Sequence, residues 1–162
     1  MPIVLRHNQE LELSLAEYRG PVSLAELEAV AAYGAQNPSF LQCDCLNLVL
    51  PGANFDSVEV TALDNLFGRY KLIFAPMEFQ IVRRSAWICL SPAAQAHIDY
   101  WIGGHDLREA LSSTLRQFLA YSEAGDWLVL NEAEIVALES GAGFTEVANF
   151  EDPPSVTRTA AR

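Results

Sequence analysis

Residues 43–50, Cys-Asp-Cys-Leu-Asn-Leu-Val-Leu, are apolar nearly throughout and stop at Pro51-Gly52. A short apolar run bounded by turn residues reads as a strand with both faces covered, and a sheet needs packed layers on each side to provide that cover. The flanking segments supply those layers. Ser23 with Glu26 forms a capping box ahead of Leu24, Leu27, Val30, Ala31 and Gly34 at helical spacing, which predicts a helix to about Gln36, stopped by Asn37-Pro38. After residue 50, Leu63, Leu66, Phe67, Tyr70 and Phe74 form an apolar stripe opposite Thr61, Asp64, Asn65 and Gly68; Asp56 or Ser57 is the expected cap of that helix and Pro76 its end.

The alternation continues. Arg84 to Leu90 predicts a strand rich in bulky apolar residues, and Ser91-Pro92 a cap and first-turn proline for a helix ending at Gly103-Gly104. Asp106 with Glu109 suggests an extra turn, Thr114 to Leu119 the last strand, and Ser122 the cap of a short helix through Leu128. Asn131 with Glu134 begins one more helix, which stops at Ser140-Gly141. Leu11, Leu13 and Leu15 alternate with polar residues near the start, and Ile3 to Arg6 can pair with them as an antiparallel edge. The expectation is a single α/β domain over residues 1–150, with a mixed, mostly parallel sheet of about five strands and helices packed on it. Residues 151–162 lack apolar anchors and read as a disordered tail.

Charge narrows the partners. The chain of 162 residues carries a formal net charge of -11, and residues 117–152 hold eight acidic side chains with no basic one. Such a surface repels polyanions, so nucleic acid is not expected as a partner. The uncharged stretch Ser85 to Ile98 is broken by Pro92, Gln95 and His97 and predicts no transmembrane helix. Met1 to Glu12 does not read as a secretory signal, and an odd number of cysteines does not read as a disulfide framework. A cytoplasmic location with reduced thiols is expected.

No catalytic signature emerges: there is no GxxxxGK loop and no GxSxG elbow, and Gly141-Ala142-Gly143 lacks a third glycine and a strand before it. Cys43 and Cys45 would share one face of a strand, yet no second ligand pair stands at zinc spacing. His97, Asp99, His105 and Asp106 are the densest group of acid/base or metal-capable side chains, but on a helix positions 97 and 99 point about 200° apart. No metal, cofactor or catalytic residue is therefore expected. Trp87, Trp101 and Trp127 read as core residues, and at least one of them is suited to lining an apolar ligand pocket.

Gly20, the Arg84-x-Ala86 entry into a buried strand, and Phe118-x4-Glu123-Ala124-x2-Trp127-Leu128 resemble the bacterial STAS/SEC14-like domains, relatives of the anti-sigma factor antagonists. Asp56-Ser57 and Gly68-Arg69-Tyr70-Lys71 resemble the antagonists themselves. The resemblance implies a STAS/SEC14-like fold, a non-enzymatic regulatory role through a protein partner, and Ser57 as a candidate phosphorylation position as well as a helix cap. Arg69, Lys71, Arg83 and Arg84 form the one concentration of positive charge and are the candidate docking surface. The alternative is a carrier or sensor of a small apolar or lipid-like ligand, and a homodimer is compatible with either.

Overall fold

A computed structural model describes residues 2–76, 83–103 and 113–151. Its centre is one six-stranded sheet of order β5-β4-β3-β2-β1-β6. The strands are β1 (Ile3–Asn8), β2 (Leu13–Tyr18), β3 (Asp44–Val49), β4 (Arg83–Cys89), β5 (Ser113–Phe118) and β6 (Thr145–Phe150). Strands β2, β3, β4 and β5 run parallel, whereas β1 is antiparallel to both of its neighbours. The sheet is therefore mixed rather than mostly parallel, and it has one strand more than expected. That strand, β6, covers the flank of β1 that was read as the edge. Its own residues are mostly exposed, so it carries little of the buried alternation by which a strand is recognised.

Six α-helices are described: α1 (Leu24–Gln36), α2 (Pro38–Gln42), α3 (Ala62–Phe74), α4 (Gln95–Gly103), α5 (Tyr121–Trp127) and α6 (Glu132–Ser140). Strand periodicity divides their duties. Residues such as Ala16, Tyr18, Val49 and Trp87 face one side of the sheet and pack with α1, α3 and α4. Leu13, Leu15, Leu46, Leu48 and Ile88 face the other, against Ala124 and Leu128 of the α5 region and Leu138 of α6. Strand β3 is buried on both sides, as its composition requires. On the second face the Glu17 carboxylate, 7% exposed, is held by Arg6 at 2.7 Å and by Arg19, so this buried charge is paired twice.

Several local signals behave as the sequence indicates. Ser23 and Glu26 complete a capping box at α1, Asn131 and Glu134 complete another at α6, and Gly141 ends α6 with φ 77°. Others do not. Ser57 lies in the β3–α3 connection and does not cap α3, which begins at Ala62. The chain instead reaches the helix through successive tight turns in which Val58, Ala62, Leu63 and Asp64 donate to carbonyls three residues back. Those bonds satisfy the donors that a cap would serve. Ser57 Oγ donates to the Val22 carbonyl at 3.4 Å. Ser122 is likewise no cap, since α5 starts one residue earlier and Ala120 precedes it. Pro38 begins α2 rather than a loop, which removes Cys43 from the strand. Among the described residues no helix is long and apolar enough to cross a membrane. The tail and the turn at Asp106 lie outside the described residues.

Candidate functional site

The first face of the sheet does not fill the space beneath its helices. Between β2, β3, β4 and the layer of α1, α3 and α4 lies a partly enclosed cavity of about 110 Å³. Its walls are mainly apolar: Leu27 and Val30 from α1, Leu63 and Leu66 from α3, Ile98 and Trp101 from α4. Aromatic rings provide much of the remainder. Tyr18 stacks on Trp87 with centroids 5.7 Å apart, Phe55 approaches Tyr18 at 6.0 Å and His97 at 5.6 Å, and Phe67 stacks on Trp101 at 4.1 Å.

Polar groups cross the cavity floor in a row set by the strand register. Ala16, Asn47 and Trp87 are paired across β2, β3 and β4, and Cys45 pairs with Ser85. Tyr18 donates to Asn47 Oδ1 at 3.4 Å, and Asn47 Nδ2 donates to Ser85 Oγ at 2.9 Å and the Ala86 carbonyl at 3.3 Å. This row is internally satisfied. Burial pushes the Tyr18 hydroxyl well above its ordinary pKa, and it pushes Tyr70 up to about 12, so both phenols stay neutral. The Cys45 thiol is raised for the same reason, with the Arg83 guanidinium opposing the shift.

Three other groups are not satisfied. Arg83 Nε, Trp87 Nε1 and His97 Nδ1 are buried without a hydrogen-bond partner, and all three residues line the cavity. A buried polar atom left in that state costs about 1–3 kcal/mol, which makes three around one space a feature to be explained rather than an accident of packing. Their roles can be assigned. His97 Nε2 is 2.7 Å from the Val58 carbonyl oxygen, which accepts only, so that nitrogen carries a proton, and when the ring holds one proton Nδ1 is an acceptor. Trp87 Nε1 and Arg83 Nε are donors.

The structure separates the remaining sequence candidates. Asp99 is exposed and accepts a bond from Gln95 at 2.7 Å, turned away from His97 as the helical angle implies. His105 and Asp106 lie outside the described residues. Cys43 Sγ is directed to the Ser39 carbonyl, Cys45 is buried in the cavity floor, and Cys43, Cys45 and Cys89 are free thiols. Among the described residues no group of three or more His, Cys, Asp or Glu is placed to hold a metal ion. Trp87 and Trp101 line the cavity, while Trp127 packs on Phe118 across the sheet.

Of the four cations, Arg83 is directed away from a shared surface rim. Arg69 stands 3.9 Å from Glu28 of α1, Lys71 and Arg84 are exposed, and Arg83 turns inward to donate to the Leu41 carbonyl at 3.4 Å. Arg83 thus belongs to the cavity, where its neighbours include Cys45, Tyr18 and Tyr70. Sequence reasoning placed it just before β4. As the first residue of the strand it shares the face of Ser85 and Trp87, a consequence of period two that needs the correct strand start. Asn47 and Ser85 carried no signal beyond being polar residues in apolar strands. Comparison with protein-family models, with curated proteins and with solved structures returned no match.

Proposed function

We propose that this protein is a carrier or sensor that holds a small, largely apolar molecule between its sheet and helices α1, α3 and α4. The observation that carries the reading is the cavity of about 110 Å³ bordered by three buried, unpartnered polar atoms. For comparison, a purely apolar cavity of roughly 150 Å³ admits benzene and stays dry, whereas buried polar atoms require a partner. An apolar wall with a few convergent polar groups is the usual constitution of a small-molecule site. The STAS/SEC14-like resemblance is part of the same proposal, supported by the alternation of parallel strands and helices from β2 to β5. A regulatory role follows if occupancy changes how the helix layer sits, with Lys71 and Arg84 available at the surface for a protein partner.

Native mass spectrometry of freshly purified protein tests the reading. A bound small molecule is expected on wild type and absent from Ala16→Phe, whose added ring enters the cavity from the floor of β2. Circular dichroism establishes that the variant is folded. Wild type with no bound molecule, and with a melting temperature unmoved by a panel of apolar compounds, overturns the proposal.

A further inference from the structure

Among the described residues the cavity is lined by a positive charge and no negative one. None of the described residues lining it is Asp or Glu, and the salt bridges among the described residues join Arg6, Arg19 and Arg69 to carboxylates but not Arg83. The Arg83 guanidinium cannot discharge itself by losing a proton, and it meets weak or neutral groups: the Leu41 carbonyl at 3.4 Å and the Cys45 thiol. Arg83 is half-buried, and taking part of a cation out of water is unfavourable unless an anion accompanies it. The unpartnered Nε leaves one edge of the guanidinium fork ready for an acceptor.

The other two unpartnered atoms are placed elsewhere along the cavity. Trp87 follows Arg83 by four residues on the same face of β4, which puts their Cα atoms about 13 Å apart at the rise of a strand. His97 joins Trp87 through the aromatic contacts of Phe55 and Tyr18. One end of the space therefore offers a fixed cation, and farther along it stand an indole donor and, two rings away, an imidazole nitrogen. Between them the walls are Leu63, Leu66, Ile98 and Trp101. A hydroxyl both donates and accepts, and so can meet either an indole N–H or an imidazole nitrogen.

Building on the ligand-binding reading above, we propose that the cavity takes an elongated apolar monocarboxylate, its carboxylate on Arg83 and a hydroxyl at its far end on the unpartnered His97 Nδ1. A single cation in an apolar wall matches a single negative charge. A phosphate monoester, which carries about -1.5 to -2 at neutral pH, would leave charge uncompensated.

Calorimetry at neutral pH with octanoate, 1-octanol and 8-hydroxyoctanoate tests this on the full chain. Wild type is expected to bind octanoate at least about tenfold more tightly than octanol, since removing one partner of a buried charge pair weakens binding by that much or more. The terminal hydroxyl of 8-hydroxyoctanoate should improve on octanoate, and His97→Phe should abolish that improvement. Arg83→Gln should lose the preference for octanoate over octanol while keeping its affinity for octanol, and Arg83→Lys should recover part of it. The octanol titration also shows that each variant retains a folded cavity. Equal binding of octanoate and octanol by wild type overturns the carboxylate inference and leaves the cavity reading standing. Failure of all the probes to bind overturns both.

Discussion

At the scale of single residues, Val129 is the most exposed inconsistency between sequence and backbone. It follows α5 with φ 63°, in the left-handed region that a β-branched side chain resists, and it is 73% exposed. The position is held because Leu130 N–H closes back on the Gly125 carbonyl at 2.9 Å, the terminating bond of a helix that glycine ordinarily follows. Val129→Gly should therefore stabilise the fold by about 1 kcal/mol, read as a higher denaturation midpoint with unchanged slope. An unchanged or lower midpoint would show that the strain is relieved elsewhere. The candidate site is also a matter of residues whose types were visible and whose directions were not. His97, Trp87 and Arg83 stand out in the sequence as an acid/base group, a core aromatic and a surface cation. Their meeting around one cavity depends on the register of β4 and on the turn that brings Val58 to His97, and neither is written in local spacing.

At the scale of elements, two glycines in helices make opposite predictions. A Cβ on Gly125 of α5 would stand 2.4 Å from Ile135 Cγ1 of α6, so the two helices meet through the missing side chain. A Cβ on Gly68 of α3 would meet nothing within 4 Å. Alanine gains roughly 1 kcal/mol of helix propensity at either position, but at Gly125 overpacking costs about 1–3 kcal/mol. Gly68→Ala should raise the melting temperature and Gly125→Ala should lower it; shifts of the same sign would mean that α5 and α6 are not in contact there. Elements bounded by capping boxes were legible in the sequence because the cap and the glutamate three residues on act within one turn, as at Ser23 and Asn131. The start of α3 was not, since its first donors are met by a run of backbone turns that any sequence can form. The apolar stripe of that helix was legible: Leu63, Leu66 and Phe74 are buried, and Phe67 stacks against α4. Strand β6 was missed because an exposed edge offers no buried periodicity to read.

For the whole molecule, the two phenols that line the cavity set a limit at high pH. Tyr18 and Tyr70 ionise late in the folded state because burial disfavours their charged forms, whereas in the unfolded chain they ionise near pH 10. Above about pH 10 the unfolded state therefore loses protons that the folded state keeps, and stability falls with rising pH by about 1.4 kcal/mol per unit for each such tyrosine. The contribution is fully present below pH 10, and for Tyr70 the decline ends near pH 12, where its folded form ionises too. Denaturation from pH 8 to 12 should show this decline, and Tyr70→Phe should make it shallower; an identical slope in the variant would remove Tyr70 from the account. The sheet order has another consequence, for the chain as it is made. Strand β1 is synthesised first among the strands, yet its second neighbour, β6, is synthesised last. During translation the outer edge of β1 stays without its native cover while every other strand of the sheet emerges, and an uncovered edge is a template for pairing between chains. The nascent polypeptide thus meets its greatest hazard of misassembly before its final strand leaves the ribosome, when the remainder of the sheet is already available to form.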